Sequence, residues 1–334
     1  MVASKKINVG ISIGDPNGIG IEVILKALSE RPHNENCNYI IYSSYDLILK
    51  QKNDLNIKTL PLKKINSFNE TSPTSINIKE VFKTSKYSYG VFDKYISQNA
   101  VISFKEAVKD ASDKHLDVLI TSPINKNLSY SDSFKFSGHT DYLKSYFELD
   151  PIMLMVSKKL KVGLLTEHIP LQDVVKNITV EKTIKKIKLL YNVLNKDFGI
   201  TKPEIAILSI NPHVGDDGVI GKDDQKLLNP VITELNQKEQ IIFGPFSADT
   251  FFCNNNYVNY DAIVAVYHDQ GLIPFKIISF GEGVNFSAGL PIIRTSPDHG
   301  TGFDIAGKGI ADPSSFTHAL ELALQIYQLR NKIL

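Results

Sequence analysis

The sequence predicts an α/β protein whose largely parallel sheet is covered by helices on both faces. Three observations carry that expectation. Short runs that are apolar throughout recur along the chain, the pattern of strands buried on both sides. Stretches of 3.6-residue period separate them. The two kinds of segment alternate in both halves of the chain, the rhythm of successive βα units.

Taken in order, residues 7–13 read as a buried strand and residues 19–28 as a helix, with Asn17 and Gly18 at its start. Residues 38–42 form a second strand. The polar stretch 60–78, rich in Pro, Ser, Thr and Asn, is expected to be irregular or a weak sheet edge. Residues 97–114 form a helix with Val101, Phe104, Val108 and Ala111 on its apolar face, and 117–121 a strand that stops at Ser122-Pro123. The second half repeats the pattern: strand 161–166, helix 180–194, strand 204–210, helix 222–235, strand 261–266 and a closing amphipathic helix over 313–330.

Length and composition bound the function. A chain of 334 residues makes one large domain or two ordinary ones, and no clean linker divides it. A net charge of +1 gives no bulk attraction to nucleic acid or to an anionic membrane, so neither is expected as a partner. Two cysteines, Cys37 and Cys253, exclude a disulfide scaffold and a thiolate metal centre, leaving the eight histidines as the metal-type ligands. No apolar run approaches the ~20 residues of a membrane span. The N-terminal segment is interrupted by Gly, Asp and Pro before it could make a signal core, so a soluble cytoplasmic protein is expected.

Three second-half strands each end, within a few residues, in a histidine. They run into Thr166-Glu167-His168, Asn211-Pro212-His213 and Tyr267-His268-Asp269. In a parallel sheet the carboxyl ends share one edge, where open α/β sheets bind ligands. Three imidazoles there could converge on one divalent cation and leave positions open for substrate. A lone histidine is more often a polar loop residue; three at equivalent places are harder to dismiss. Asp249 and Asp269 are candidates to orient or supplement them, although Asp249 could equally cap a helix.

Two further stretches carry polar chemistry. Gly14-Asp15-Pro16-Asn17-Gly18-Ile19-Gly20 joins the first strand to the first helix and resembles a phosphate-cradling turn, though a tight βα turn needs glycine in any case. Residues 267–312 are dense in polar groups. Within them Lys276 and Arg294 are cations among apolar neighbours, suited to a phosphate or carboxylate. Gly138-His139-Thr140-Asp141 reads as a helix start or a ligand contact.

These motifs, with Arg294-Thr295-Ser296-Pro297-Asp298-His299-Gly300-Thr301, resemble the 4-hydroxythreonine-4-phosphate dehydrogenase (PdxA) family, in order and over nearly the whole chain. The resemblance implies two α/β/α domains around a cleft, as in isocitrate and isopropylmalate dehydrogenases. The limits are placed at 1–135 plus 295–334 for the first domain and 136–294 for the second. It implies one divalent metal, Zn, Mg or Co, on His168, His213 and His268. It implies substrate contacts at His139, Thr140, Lys276, Asn285 and Arg294. NAD or NADP would bind the adenine-side loop with His299, Gly300, Thr301 and Asp304, while Asp15 and Gly18 shape the neighbouring turn. The family works as a homodimer with the active site at the subunit interface.

The implied reaction is oxidation of 4-phosphohydroxy-L-threonine to 2-amino-3-oxo-4-phosphooxybutanoate, which decarboxylates to 3-amino-2-oxopropyl phosphate in vitamin B6 (pyridoxine) biosynthesis. The alternatives are a paralogue acting on erythronate or threonate 4-phosphate, and a non-catalytic protein that binds a metal and a phosphometabolite.

Overall fold

Twelve strands appear in chain order in the computed structural model, which describes residues 6–30, 35–131 and 134–331. They are β1 Ile7–Ser12, β2 Cys37–Ser43, β3 Leu62–Ile65, β4 Ile76–Glu80, β5 Val118–Thr121, β6 Ile152–Val156, β7 Lys161–Leu164, β8 Ile205–Leu208, β9 Ile242–Phe246, β10 Ala262–Ala265, β11 Val284–Ala288 and β12 Arg294–Pro297. The chain divides into two compact units, Met1–Leu149 with Leu290–Tyr327, and Asp150–Gly289 with Gln328–Leu334. Among the described residues no helix is long and apolar enough to cross a membrane.

The first unit orders its strands β3-β4-β2-β1-β5-β12, all parallel. β2 is buried at every residue and β5 likewise, which is why both read as mostly apolar runs. The helix Lys94–Ser112 begins where the Asp93 side chain accepts the Tyr95 and Ile96 N–H groups, and it buries Val101, Phe104, Val108 and Ala111. The polar stretch before it supplies β4 and the edge strand β3, whose exposed Lys63 and Lys64 guard an unpaired edge.

The expected domain limits differ from these units. The helix His139–Phe147, expected in the second domain, lies in the first unit because Tyr142 and Leu143 join its core with Phe104 and Phe134. Residues 290–294 follow, because Arg294 and Thr295 open β12, which pairs with β5. The end of the chain goes the other way: Arg330 makes a two-pronged ion pair with Asp197, at 2.7 and 2.8 Å, inside the second unit. The expected outer limits, 1 and 334, lie outside the described residues.

The second unit orders its strands β11-β6-β7-β10-β8-β9. β7, β10, β8 and β9 are parallel, while β6 alone runs against them, pairing antiparallel with both β7 and β11, so this sheet is mixed. The helix Val180–Phe198 is capped by the Thr179 hydroxyl and ends at Gly199, whose φ of 70° lets its N–H close on the Leu194 carbonyl. It runs past the expected stop at 194. The stretch expected as one helix over 222–235 is instead a wide turn, Asp224–Leu228, followed by a helix from Asn229 to Leu235. Pro230 has no N–H to continue a regular ladder there. Leu208, Ile263, Ala265, Leu272 and Phe275 belong to the core beneath the carboxyl ends of β8 and β10.

Candidate active site

Beyond β7 and β10 the backbone stays paired for two more residues, with Leu165 N–H on the Ala265 carbonyl and Thr166 N–H on that of Val266, at 2.9 and 3.2 Å. The two strands therefore deliver Glu167-His168 and Tyr267-His268 side by side. The His168 and His268 rings are neighbours, their centroids 5.6 Å apart and their planes tilted by 44°. Both line a cavity of about 310 Å³ with Glu167, Leu171, Tyr267 and Asp269.

His268 is the first residue of the helix His268–Ile278. Its Nδ1 lies 2.7 Å from Asp269 Oδ1. A carboxylate only accepts, so this contact assigns the proton to Nδ1 and the lone pair to Nε2. Glu167 Oε1 accepts from Met153 N–H at 3.3 Å and stands 3.9 Å from Lys186 Nζ, while Lys186 donates to the Leu165 carbonyl at 2.9 Å.

His213 reaches its place differently. From His213 to Asp217 five consecutive residues take left-handed backbone angles, with φ of 50, 58, 82, 45 and 52°. Non-glycine residues there cost roughly 1–2 kcal/mol each, and Val214 is β-branched. Gly215 is the hinge of this turn, since a Cβ on it would lie 2.2 Å from the Gly221 carbonyl oxygen. The Asp249 carboxyl is held below the usual range first by the Ser247 hydroxyl, then by the Thr250 N–H, with the His213 imidazole adding to both.

Asp249 lies in the first turn of the helix Ala248–Cys253, whose cap position is Ser247. The chain thus brings together His168 with His268, whose cavity His213 does not line. Among the described residues no three histidine, cysteine, aspartate or glutamate side chains form a ready metal cluster.

The anion-type residues divide between the units. In the first, Arg294 on β12 is 2 % exposed. Its Nε and Nη2 donate to Thr121 Oγ1 at 3.0 and 2.5 Å, and Nη2 stands 3.2 Å from His139 Nδ1. Burial pulls the guanidinium down to about 9, so it is still a cation at neutral pH. His139 packs its ring on Phe104 at 4.4 Å and, with Thr140, opens the helix that follows Gly138. In the second unit Lys276 is exposed on the helix His268–Ile278. Asn285 on β11 has its Oδ1 sealed from solvent with no donor among the described residues.

The loop with His299, Gly300, Thr301 and Asp304 is anchored in the first unit, where Ile19 N–H donates to the Thr301 carbonyl at 2.9 Å. A Cβ on Gly18 would meet that same carbonyl at 2.5 Å, so glycine is needed for the close approach. His299 Nδ1 donates to the Gly300 carbonyl at 2.9 Å, and its Nε2 is buried with no partner among the described residues. Space beside Gly300 is open, and Asp304 is exposed.

In the turn 14–20 four N–H groups already have protein partners: Asp15 on the Pro123 carbonyl, Asn17 on Asp15 Oδ1, Gly18 on the Asp15 carbonyl and Ile19 on the Thr301 carbonyl. Asp15 faces inward to accept from the Ser97 hydroxyl at 2.5 Å, and burial raises its carboxyl above the usual range.

Sequence reasoning missed two devices. Glu22 accepts from Lys26 and from Ala311 N–H, while Lys26 also donates to the Gly309 and Ala311 carbonyls, tying the end of the 299–311 loop to the first helix. The i, i+4 spacing of Glu22 and Lys26 was the available signal. The second is Gln270, which is hydrogen-bonded to two different strand ends.

The family model described as "Pyridoxal phosphate biosynthetic protein PdxA" matches residues 35–323. The chain is 44% identical over 329 residues to the 4-hydroxythreonine-4-phosphate dehydrogenase of Sulfurihydrogenibium sp. (strain YO3AOP1), covering 97% of this chain and 99% of that one. The solved structure of the enzyme of the same name from Klebsiella pneumoniae matches with a TM-score of 0.84 at 30% identity, covering 98% of this chain and 100% of that one. Isocitrate dehydrogenase from Methylococcus capsulatus, at 12% identity and a TM-score of 0.50 over 97% of this chain and 87% of that one, shares the fold. With its matched residues running through both units, the chain belongs to the pyridoxal phosphate biosynthetic protein PdxA family.

Proposed function

We propose that the chain oxidises 4-phosphohydroxy-L-threonine with NAD or NADP as acceptor and with one divalent metal held by His168, His213 and His268. The observation that carries the reading is the neighbouring pair His168 and His268 on one cavity at the ends of two parallel strands, in a chain 44% identical to an enzyme named 4-hydroxythreonine-4-phosphate dehydrogenase. The donor set fits a borderline divalent ion: imidazoles, one held through its Nδ1 by Asp269 so that Nε2 is left for a ligand bond, and carboxylates nearby. His213 would complete the set, and Asp249 would orient it. A bound cation of this kind supplies Lewis acidity toward a hydroxyl and the ketone it becomes.

The 299–309 loop fits the nucleotide. The buried lone pair on His299 Nε2, the open face of Gly300 and the tethered Thr301 carbonyl suit such a ligand, with Asp304 exposed beside them. The nicotinamide supplies the hydride acceptor.

The protein's own groups bind and orient. Arg294 and His139 take the phosphate: the guanidinium gives a fork of donors and the imidazole, accepting at Nδ1, is a donor at Nε2. Thr140 adds a hydroxyl. Asn285 turns its buried Oδ1 toward a substrate donor, and Lys276 holds an anion or moves a proton at Nζ. The secondary alcohol loses a hydride to the acceptor and a proton from oxygen, giving a 2-amino-3-oxo acid. That β-keto acid then loses CO2, its electron pair passing to the ketone as an enolate that takes up a proton at carbon, to give 3-amino-2-oxopropyl phosphate.

The active form is proposed to be a homodimer with the site at the subunit interface. Ile273 and Ile277 on the helix that starts at His268, with Phe280 just past its end, are exposed apolar residues, Phe280 to 91%. The test of the metal reading is His213→Ala. Its metal content and turnover should both collapse, and normal values for both would end the proposal.

A further inference from the structure

We propose that Gln270 is a positioning residue for the metal histidines, tying the strand end that carries His213 to the one that carries His268. The inference deepens the metal reading above and rests on it. The ladder between β8 and β10 covers Ile205 to Ile207 against Ala262 to Val264. Past it the strand ends need another partner, and the Gln270 amide is that partner. Its Oε1 accepts from Val266 N–H and its Nε2 donates to the Ser209 carbonyl, both at 2.7 Å. Only this orientation of the amide satisfies both backbone groups.

The tie is continuous with two others. The Val266 carbonyl accepts from the Thr166 hydroxyl at 2.7 Å, two residues before His168. On the far side the Ser209 hydroxyl donates to the Asn211 carbonyl at 2.8 Å. Fully buried Asp224 accepts from the N–H groups of Ile210 and Asn211 and from the Asn211 side chain, at 2.7 to 3.1 Å, immediately before His213. One hydrogen-bonded path thus passes through all three histidine-bearing loops, and Gln270 is its single side-chain link between β8 and β10 among these contacts. Gln270 is the third residue of the helix that begins at His268, so its place and that of His268 are set by the same helical turn. Groups that fix metal ligands from behind are typically worth about 10–100-fold in metal affinity.

The test uses the full-length apo protein, without substrate or nucleotide. Zn2+ affinity is measured against a competing chelator, and the visible spectrum of the Co2+ form reports ligand geometry. Gln270→Met removes both hydrogen bonds at similar volume. Gln270→Glu keeps the acceptor toward Val266 and sets an oxygen against the Ser209 carbonyl. Both variants are expected to bind Zn2+ roughly 10–100-fold more weakly and to change the Co2+ spectrum, while far-UV circular dichroism stays that of the wild type. Wild-type affinity and spectrum in a folded variant would overturn the positioning role alone. If the metal reading itself is wrong, His213→Ala binds Zn2+ as well as the wild type, and the positioning role falls with it. Should Gln270→Met lose its fold, Gln270→Glu carries the same comparison.

Discussion

The guanidinium of Arg294 and the imidazole of His139 meet at 3.2 Å, Nη2 to Nδ1, beside the Thr121 hydroxyl. A cation so placed needs an acceptor in front of it, so the His139 proton is assigned to Nε2. The pair presents donors from a buried, charged base, which is the chemistry a phosphate monoester needs.

Replacing that charge separates binding from stability. Arg294→Met fills the same space with an apolar chain, and such swaps of buried ions are often neutral for folding. The melting temperature should move by only a few degrees, whereas kcat/KM for the phosphorylated substrate should fall by about 100-fold or more. Thermal melts and initial rates on one preparation check both halves.

Asp15 should make stability depend on pH. Burial raises its folded pKa above the unfolded value, so between the two the native state holds a proton that the unfolded chain has released. Stability from this residue is therefore present below the unfolded pKa, near 4, and is lost as pH rises through the folded value. Asp15→Asn should melt higher than the wild type at pH 7 to 8, and the gap should close as the pH approaches 4. Melting curves across that range, with a gap that widened at low pH, would count against the assignment.

Two glycines of the second unit have similar angles and different surroundings. Gly215 has φ 82° and a carbonyl oxygen 2.2 Å from where a Cβ would sit, while Gly281 has φ 76° and open space. Gly281→Ala should cost only the backbone strain, about 1–2 kcal/mol. Gly215→Ala should cost clearly more, because backbone must shift, and should also weaken Zn2+ binding by displacing His213. Chemical denaturation of both variants makes the comparison.

The parts of the fold visible in the sequence are those whose burial is continuous. β7, β8 and β10 are apolar over nearly their whole length, so their histidine endings align by inspection of the sequence. β11 and β12 do not stand out in that way, because Asn285, Ser287, Arg294, Thr295 and Ser296 put polar side chains on strands that are nevertheless mostly buried. β6, Ile152-Met153-Leu154-Met155-Val156, is apolar enough, but a five-residue run does not show that it will reverse direction against β7. The site shows the same division. Residue types and strand-end placement are readable, whereas the left-handed turn at His213 has no local signature apart from its glycines. Val214 adopts a conformation its own side chain disfavours, in a turn closed by the Ile220 N–H on the Gly215 carbonyl. Gln270 is visible only as one more polar residue of the stretch 267–312, since Ser209, 61 residues away, gives it a role.

NAD(P)H formation by the purified full-length protein on 4-phosphohydroxy-L-threonine, before and after a chelator and after Zn2+, Mg2+ or Co2+ is returned, is the most direct measurement. Erythronate and threonate 4-phosphates run alongside. Reduction of NAD+ or NADP+ that is fastest with the aminated substrate, lost on chelation and restored by metal is the expected result. Reduction that survives complete removal of metal, or no reduction with any of the three substrates, would contradict a metal-dependent dehydrogenase built on His168, His213 and His268.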